Sequence, residues 1–223
     1  MKIDLRQFES QDALNRAAVE CLVGYIQMTG QGPVAVMLSG GRTPLGIYEN
    51  LSHRGCEASA DLTILYSDER HVSAESPDSN YGSTIPLIRA LGIPDARVLR
   101  VRTEIGWRES ADRYDRDIRG FLASRGMIKL GLLGLGADGH TASLFTPGDW
   151  VTSCGRFAVA IPKAQKPDRV SVTPDLMRRI ERVIILAVGS EKREIVTKLI
   201  RHPDQVVAGL ALKDAPIVEI WQA

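Results

Sequence analysis

Four short runs of nearly unbroken apolar residues limit what this chain can become: PVAVMLS at 33–39, DLTILYS at 61–67, IKLGLLGL at 128–135 and RVIILAVG at 182–189. Each is too short for a core helix and too continuous for a strand with one wet face. Such runs are typical of strands covered on both sides. Amphipathic stretches separate them. The pattern predicts helices over residues 10–29, Thr43–Leu51, 79–91, Glu104–Arg125 and Glu191–Ile200. It predicts further strands at Arg97–Val101, Arg156–Pro162, Arg169–Thr173 and 216–221. Strands alternating with helices imply an α/β fold, a mainly parallel sheet with helices on both faces. The 223 residues carry no repeat and no linker, so one α/β domain over 1–223 is expected.

Composition narrows the function classes. The net charge of +1 comes from 28 basic and 27 acidic residues without a basic stripe, which argues against a nucleic-acid partner. No run approaches the roughly 18 apolar residues of a membrane span, and MKIDLRQFES has no signal-peptide core. The three cysteines, Cys21, Cys56 and Cys154, fit neither a disulfide framework nor a zinc site. The expectation is a cytoplasmic protein.

In open α/β sheets, ligands gather beyond the carboxyl ends of the strands. Three expected strand ends carry polar chemistry. In LSGGRTP (38–44), Gly40 and Gly41 precede a helix that starts near Thr43. Backbone N–H groups there, with Arg42 and Thr43, suit an anion; a plain tight turn fits the residues equally well. In YSDERHV (66–72), Asp68, Glu69, Arg70 and His71 follow a strand directly, and Ser79 and Asn80 suit a helix cap. Four ionisable groups in a row equally describe a solvated loop.

The third end is GLGADGHTASLF, 134–145, in which glycines at 134, 136 and 139 surround Asp138 and His140. Imidazole moves protons near neutral pH, and a carboxylate two residues away suits its orientation. Thr141–Phe145 is expected to begin a helix. In IPKAQKPDRVSVTP (161–174), Lys163, Lys166 and Arg169 are cations near strand ends, either surface charge or a clamp for an anionic substrate.

Together GGRTP, SDERHV with DSNYG, GLGADGHTASLFTPG, IPKAQKPDRVSVTP and GSEKREIV resemble the 6-phosphogluconolactonase family, over roughly residues 10–200. The resemblance implies a modified Rossmann-like fold shared with the glucosamine-6-phosphate deaminases. It implies hydrolysis of 6-phospho-D-glucono-1,5-lactone to 6-phosphogluconate in the oxidative pentose phosphate pathway, with no nucleotide or metal. His140 is then the expected general base, oriented by Asp138, with Arg70 near the oxyanion. Gly40, Gly41, Arg42, Thr43, Lys163 and Arg169 are expected at the phosphate, and Asp68 and Asn80 at sugar hydroxyls. The oxyanion donors are expected from the 136–140 turn or from Gly40 and Gly41.

Three features depart from the family pattern, one of them Thr146, inserted before Pro147. Arg42 stands where a small residue is usual, and the C-terminal VVAGLALKDAPIVEIWQA lacks the usual segment. The deaminases read GIGxDGHIAFNEP where this chain reads GLGADGHTASLFTP. A deaminase-like sugar-phosphate isomerase and a non-catalytic sugar-phosphate sensor are the alternative readings. The assembly is expected to be a monomer or a homodimer.

Overall fold

The computed structural model describes residues 3–162 and 167–223. A six-stranded sheet has the order β1-β9-β8-β5-β2-β3 and is parallel at every pairing. Its strands are β1 (Ile3–Gln7), β2 (Val34–Leu38), β3 (Leu62–Tyr66), β5 (Met127–Gly134), β8 (Val183–Ala187) and β9 (Val218–Gln222). A second, antiparallel sheet of order β4-β7-β6 joins β4 (Asp68–Arg70), β6 (Ala158–Ile161) and β7 (Arg169–Val172). The helices are α1 (Gln11–Ile26), α2 (Arg42–Ser52), α3 (Asn80–Ala90), α4 (Trp107–Ala123), α5 (Pro174–Met177), α6 (Arg193–Arg201) and α7 (Val207–Ala211).

Strands β2, β3 and β8 are buried along their whole length, as their unbroken apolar runs require. Alternate side chains serve opposite cores. Val34, Val36 and Leu38 pack with α1, α2 and α3; Ala35 and Met37 pack into the core that holds α4, α6 and the small sheet. Among the described residues no helix is long and apolar enough to cross a membrane.

The chain leaves neighbouring strands toward opposite cores. After β2 it enters α2, whose Ile47, Tyr48 and Leu51 belong to the α1–α3 side. After β5, Leu135 and Leu144 pack on the other side. Since β2 and β5 are adjacent, a crevice opens between their carboxyl ends.

Four expectations are corrected. Asp68–Arg70 is not a loop but strand β4, because it pairs with the distant Arg169–Ser171. Thr141–Phe145 does not begin a helix. Ala142 sits at φ 50°, and Ser143 N–H donates to Ser171 Oγ rather than back along a helix. Arg97–Val101 supplies a 3₁₀ turn at Asp95–Arg97 and one bridge, Val98 to Ile64, instead of a strand. The α2 cap is Gly41, not Thr43. Strand β1 escaped the pattern because it is a largely exposed edge strand. Residues 218–222 do form a strand, inside the sheet between β1 and β8.

Two buried tyrosines close strand ends where the ladder stops. Tyr114 Oη donates to the Tyr66 carbonyl at 2.7 Å and accepts from the Tyr66 N–H at 2.8 Å. Tyr48 Oη does the same for Ser39, at 3.0 and 3.1 Å. Both hydroxyls are held neutral by burial. Tyr114→Phe leaves buried backbone groups unpaired, each costing roughly 1–3 kcal/mol. A urea titration is expected to show a loss of that size with the slope unchanged.

Candidate active site

The crevice between β2 and β5 holds a cavity of about 270 Å³. Gly40 and Gly41 line it from the β2 end, Asp68 and Arg70 from β4, and Asn80 from the first turn of α3. Gly136, His140 and Ala142 line it from the β5 end, and Arg169 from β7. Seven of the expected site residues therefore meet in one place: Gly40, Gly41, Asp68, Arg70, Asn80, His140 and Arg169. Arg42, Thr43 and Asp138 stand outside the lining, with Arg42 exposed. Lys163 and Lys166 lie outside the described residues.

Lys192 and Ser39 also line the cavity, and sequence reasoning gave neither a role. The signal for Lys192 was present. Two residues beyond β8, Gly189 at φ 106° caps the SEK turn, just as Gly41 at φ 109°, three residues beyond β2, caps α2. Ser39 Oγ is buried without a hydrogen-bond partner among the described residues.

His140 is held in a closed turn. Its Nδ1 lies 2.5 Å from Asp138 Oδ1, its N–H donates to the same oxygen at 3.2 Å, and its carbonyl accepts from Gly136 N–H at 2.8 Å. The Phe145 ring packs on the imidazole, centroids 4.6 Å apart. Partial burial works to raise the Asp138 carboxyl. The hydrogen bonds from the His140 ring and backbone outweigh it and hold the carboxyl below its ordinary value. An ionised Asp138 selects the tautomer with hydrogen on Nδ1, which leaves Nε2 with a free lone pair.

The glycines of this turn are needed for close approach. A Cβ on Gly136 would overlap both His140 Nδ1 and Asp138 Oδ1. Gly139 stands at φ 87°, and a Cβ there would come within 2.8 Å of Val206 Cγ1. The Gly139 carbonyl accepts from Ala208 N–H at 2.9 Å. The segment that begins at Val206 thus buttresses the His140 turn.

The opposite side is cationic. Arg70 and Arg169 face each other across the β4–β7 ladder. Like charges in that position repel. Arg70 Nη1 is braced by the Asp78 carbonyl at 2.8 Å and Asn80 Oδ1 at 2.9 Å. Arg169 Nε is buried without a partner among the described residues. Burial, and next the nearby Arg70, lower the proton affinity of the Arg169 guanidinium. With Lys192 these groups make this side of the cavity cationic. Asp68 offsets them only in part, and its two oxygens already accept from Ser67 Oγ at 2.8 Å and Ser143 Oγ at 2.6 Å. No three His, Cys, Asp or Glu side chains converge as a metal would need, among the described residues.

A proton acceptor facing a cationic cradle can activate water beside a bound phosphate ester. The N–H groups of Gly136, Gly139 and His140 are already bonded inside their own turn.

Residues 9–218 match the family model described as glucosamine-6-phosphate isomerases/6-phosphogluconolactonase. The chain is 32% identical over 176 residues to the 6-phosphogluconolactonase of Synechocystis sp., covering 76% of this chain and 72% of that one. It is 31% identical over 172 residues to the enzyme of the same name from Chlamydia pneumoniae, covering 74% of this chain but 64% of that relative's length. The 6-phosphogluconolactonase structure from Trypanosoma cruzi superposes with a TM-score of 0.80 at 27% identity, covering 99% of this chain and 94% of that one.

Gly136→Ala is expected to displace the His140–Asp138 pair. A misplacement on the order of 1 Å costs about 10²-fold in rate. Circular dichroism should stay native while kcat falls by that order.

Proposed function

The chain belongs to the glucosamine-6-phosphate isomerase/6-phosphogluconolactonase family, and we propose that it hydrolyses 6-phospho-D-glucono-1,5-lactone to 6-phospho-D-gluconate, the second step of the oxidative pentose phosphate pathway. The observation that carries this reading is the pairing of a carboxylate-oriented imidazole with an only partly neutralised Arg70–Arg169 cradle in one cavity. The two ends of a six-carbon phosphate lactone require those two chemistries.

A lactone is an activated ester, so water needs positioning and deprotonation rather than replacement by a covalent nucleophile. His140 Nε2 takes a proton from water as the oxygen attacks C1. Asp138 keeps the ring in that tautomer and stabilises the imidazolium. The oxyanion on C1 forms in the field of the cavity's cations, with N–H donors on the Gly40–Gly41 side. Collapse breaks the bond from C1 to the ring oxygen, which receives the proton from Nε2 and becomes a hydroxyl. The new carboxylic acid then ionises.

Arg70, Arg169 and Lys192 hold the phosphate, aided by the start of α2, which has no side-chain cap. Asn80 holds Arg70 and so acts on the phosphate rather than on a sugar hydroxyl. Asp68, with both oxygens engaged, shapes the β4 end and leaves its remaining lone pairs to a sugar hydroxyl. The proposal carries with it a cytoplasmic location and a monomeric or homodimeric enzyme.

The deciding assay couples oxidation of glucose 6-phosphate to lactone disappearance, with and without the protein. Acceleration above spontaneous hydrolysis is expected. Ammonia release from glucosamine 6-phosphate, without that acceleration, supports the deaminase instead. His140→Ala is expected to lower kcat by roughly 10²–10⁴-fold, and near-native turnover would remove it as the base. Arg169→Ala should raise KM, whereas Arg42→Ala, on an exposed side chain, should raise it less.

A further inference from the structure

We infer that Glu69 is the positioning residue for the phosphate-binding side of the cavity, joining strand β4 to helix α3 so that the Arg70 guanidinium is presented to an anion. The inference rests on the phosphate reading above. Glu69 is buried, 1% exposed. Its Oε1 accepts from Arg70 N–H and Asn80 N–H, both at 2.8 Å. Its Oε2 accepts from Tyr81 N–H at 2.7 Å and Ser79 Oγ at 3.2 Å. One carboxylate therefore ties the backbone of Arg70 to the backbone of Asn80.

The side chains close the loop. Arg70 Nη1 donates to Asn80 Oδ1, and Asn80 Nδ2 donates back to the Asp68 carbonyl at 2.8 Å. The Asn80 amide also lies where a Cβ on Gly40 would be, so the same assembly rests against the β2 end of the cavity.

Capping the first two N–H groups of α3 is only part of what Glu69 does. Ser79 already caps α3, accepting from Gly82 N–H at 2.9 Å. What Glu69 adds is the link to β4. That link matters because Arg70 stands opposite Arg169 and would otherwise swing away from it toward water. Burial pushes the Glu69 carboxyl above its ordinary value even against three backbone N–H donors. A carboxylate is kept at this point in spite of that cost.

The test uses Glu69→Ala and Glu69→Gln beside the wild-type chain. The measurements are kcat and KM on the lactone, thermal midpoint, and affinity for inorganic phosphate by calorimetry. Glu69→Ala is expected to raise both KM and the phosphate Kd about tenfold or more, the effect of losing hydrogen bonds to a charged group. Its kcat should fall by less than its KM rises, because the His140–Asp138 pair is on another loop and only the cationic field at C1 is disturbed. Glu69→Gln keeps one oxygen for Arg70 and Asn80 and should fall between. Phosphate affinity unchanged in a folded variant, or a fall in kcat at constant KM, overturns the inference. If Glu69→Ala does not fold, Glu69→Gln decides alone. Should the wild type bind phosphate without turning over lactone, weaker binding by Glu69→Gln still supports the positioning role, and the lactonase reading alone fails.

Discussion

The parallel pairing of β2 with β5 is the constraint on which the site depends. The two strands lie side by side, yet the chain leaves them for opposite cores. No connection crosses the space between their carboxyl ends, so a crevice must exist there. Backbone leaving a strand still needs hydrogen bonds. At the β2 end, Tyr48 supplies them to Ser39; at the β5 end the 136–140 turn bonds to itself. Both exits are thereby stiff before any ligand arrives, which is what precise placement of a base and an anion cradle demands.

The small antiparallel sheet adds the charge. Ser67 is the joint between the two sheets: its N–H donates to the Leu38 carbonyl of β2, and its carbonyl accepts from Val172 N–H of β7. Through this joint β4 is swung under the crevice, carrying Asp68, Glu69 and Arg70 with it. Two arginines opposite one another repel, and the phosphate of the proposed substrate would relieve that repulsion.

Much of this was visible in the residues. The four apolar runs announced the central strands, and the Gly-Ala-Asp-Gly-His sequence announced a turn with an imidazole at its edge. The errors share a cause. Thr141–Phe145 reads as a helix start, but its Ser143 bonds to Ser171 and Asp68, partners 28 and 75 residues away. SDER reads as a loop because its strand partner lies about a hundred residues on, in β7. Glu69 passed as one charge in a polar run. Its burial depends on α3 and β7 closing over it.

The sequence alone determined the local items: strand and helix periodicity, glycine positions that permit close approach, and which residue types can accept a proton or bind phosphate. These follow from backbone sterics and side-chain chemistry, which act over a few residues. Tertiary structure alone decided that β2 and β5 are neighbours, that Arg70 faces Arg169, and that Lys192 joins them. Such choices depend on which distant strands pair, and that is settled by the burial of whole faces rather than by any short stretch.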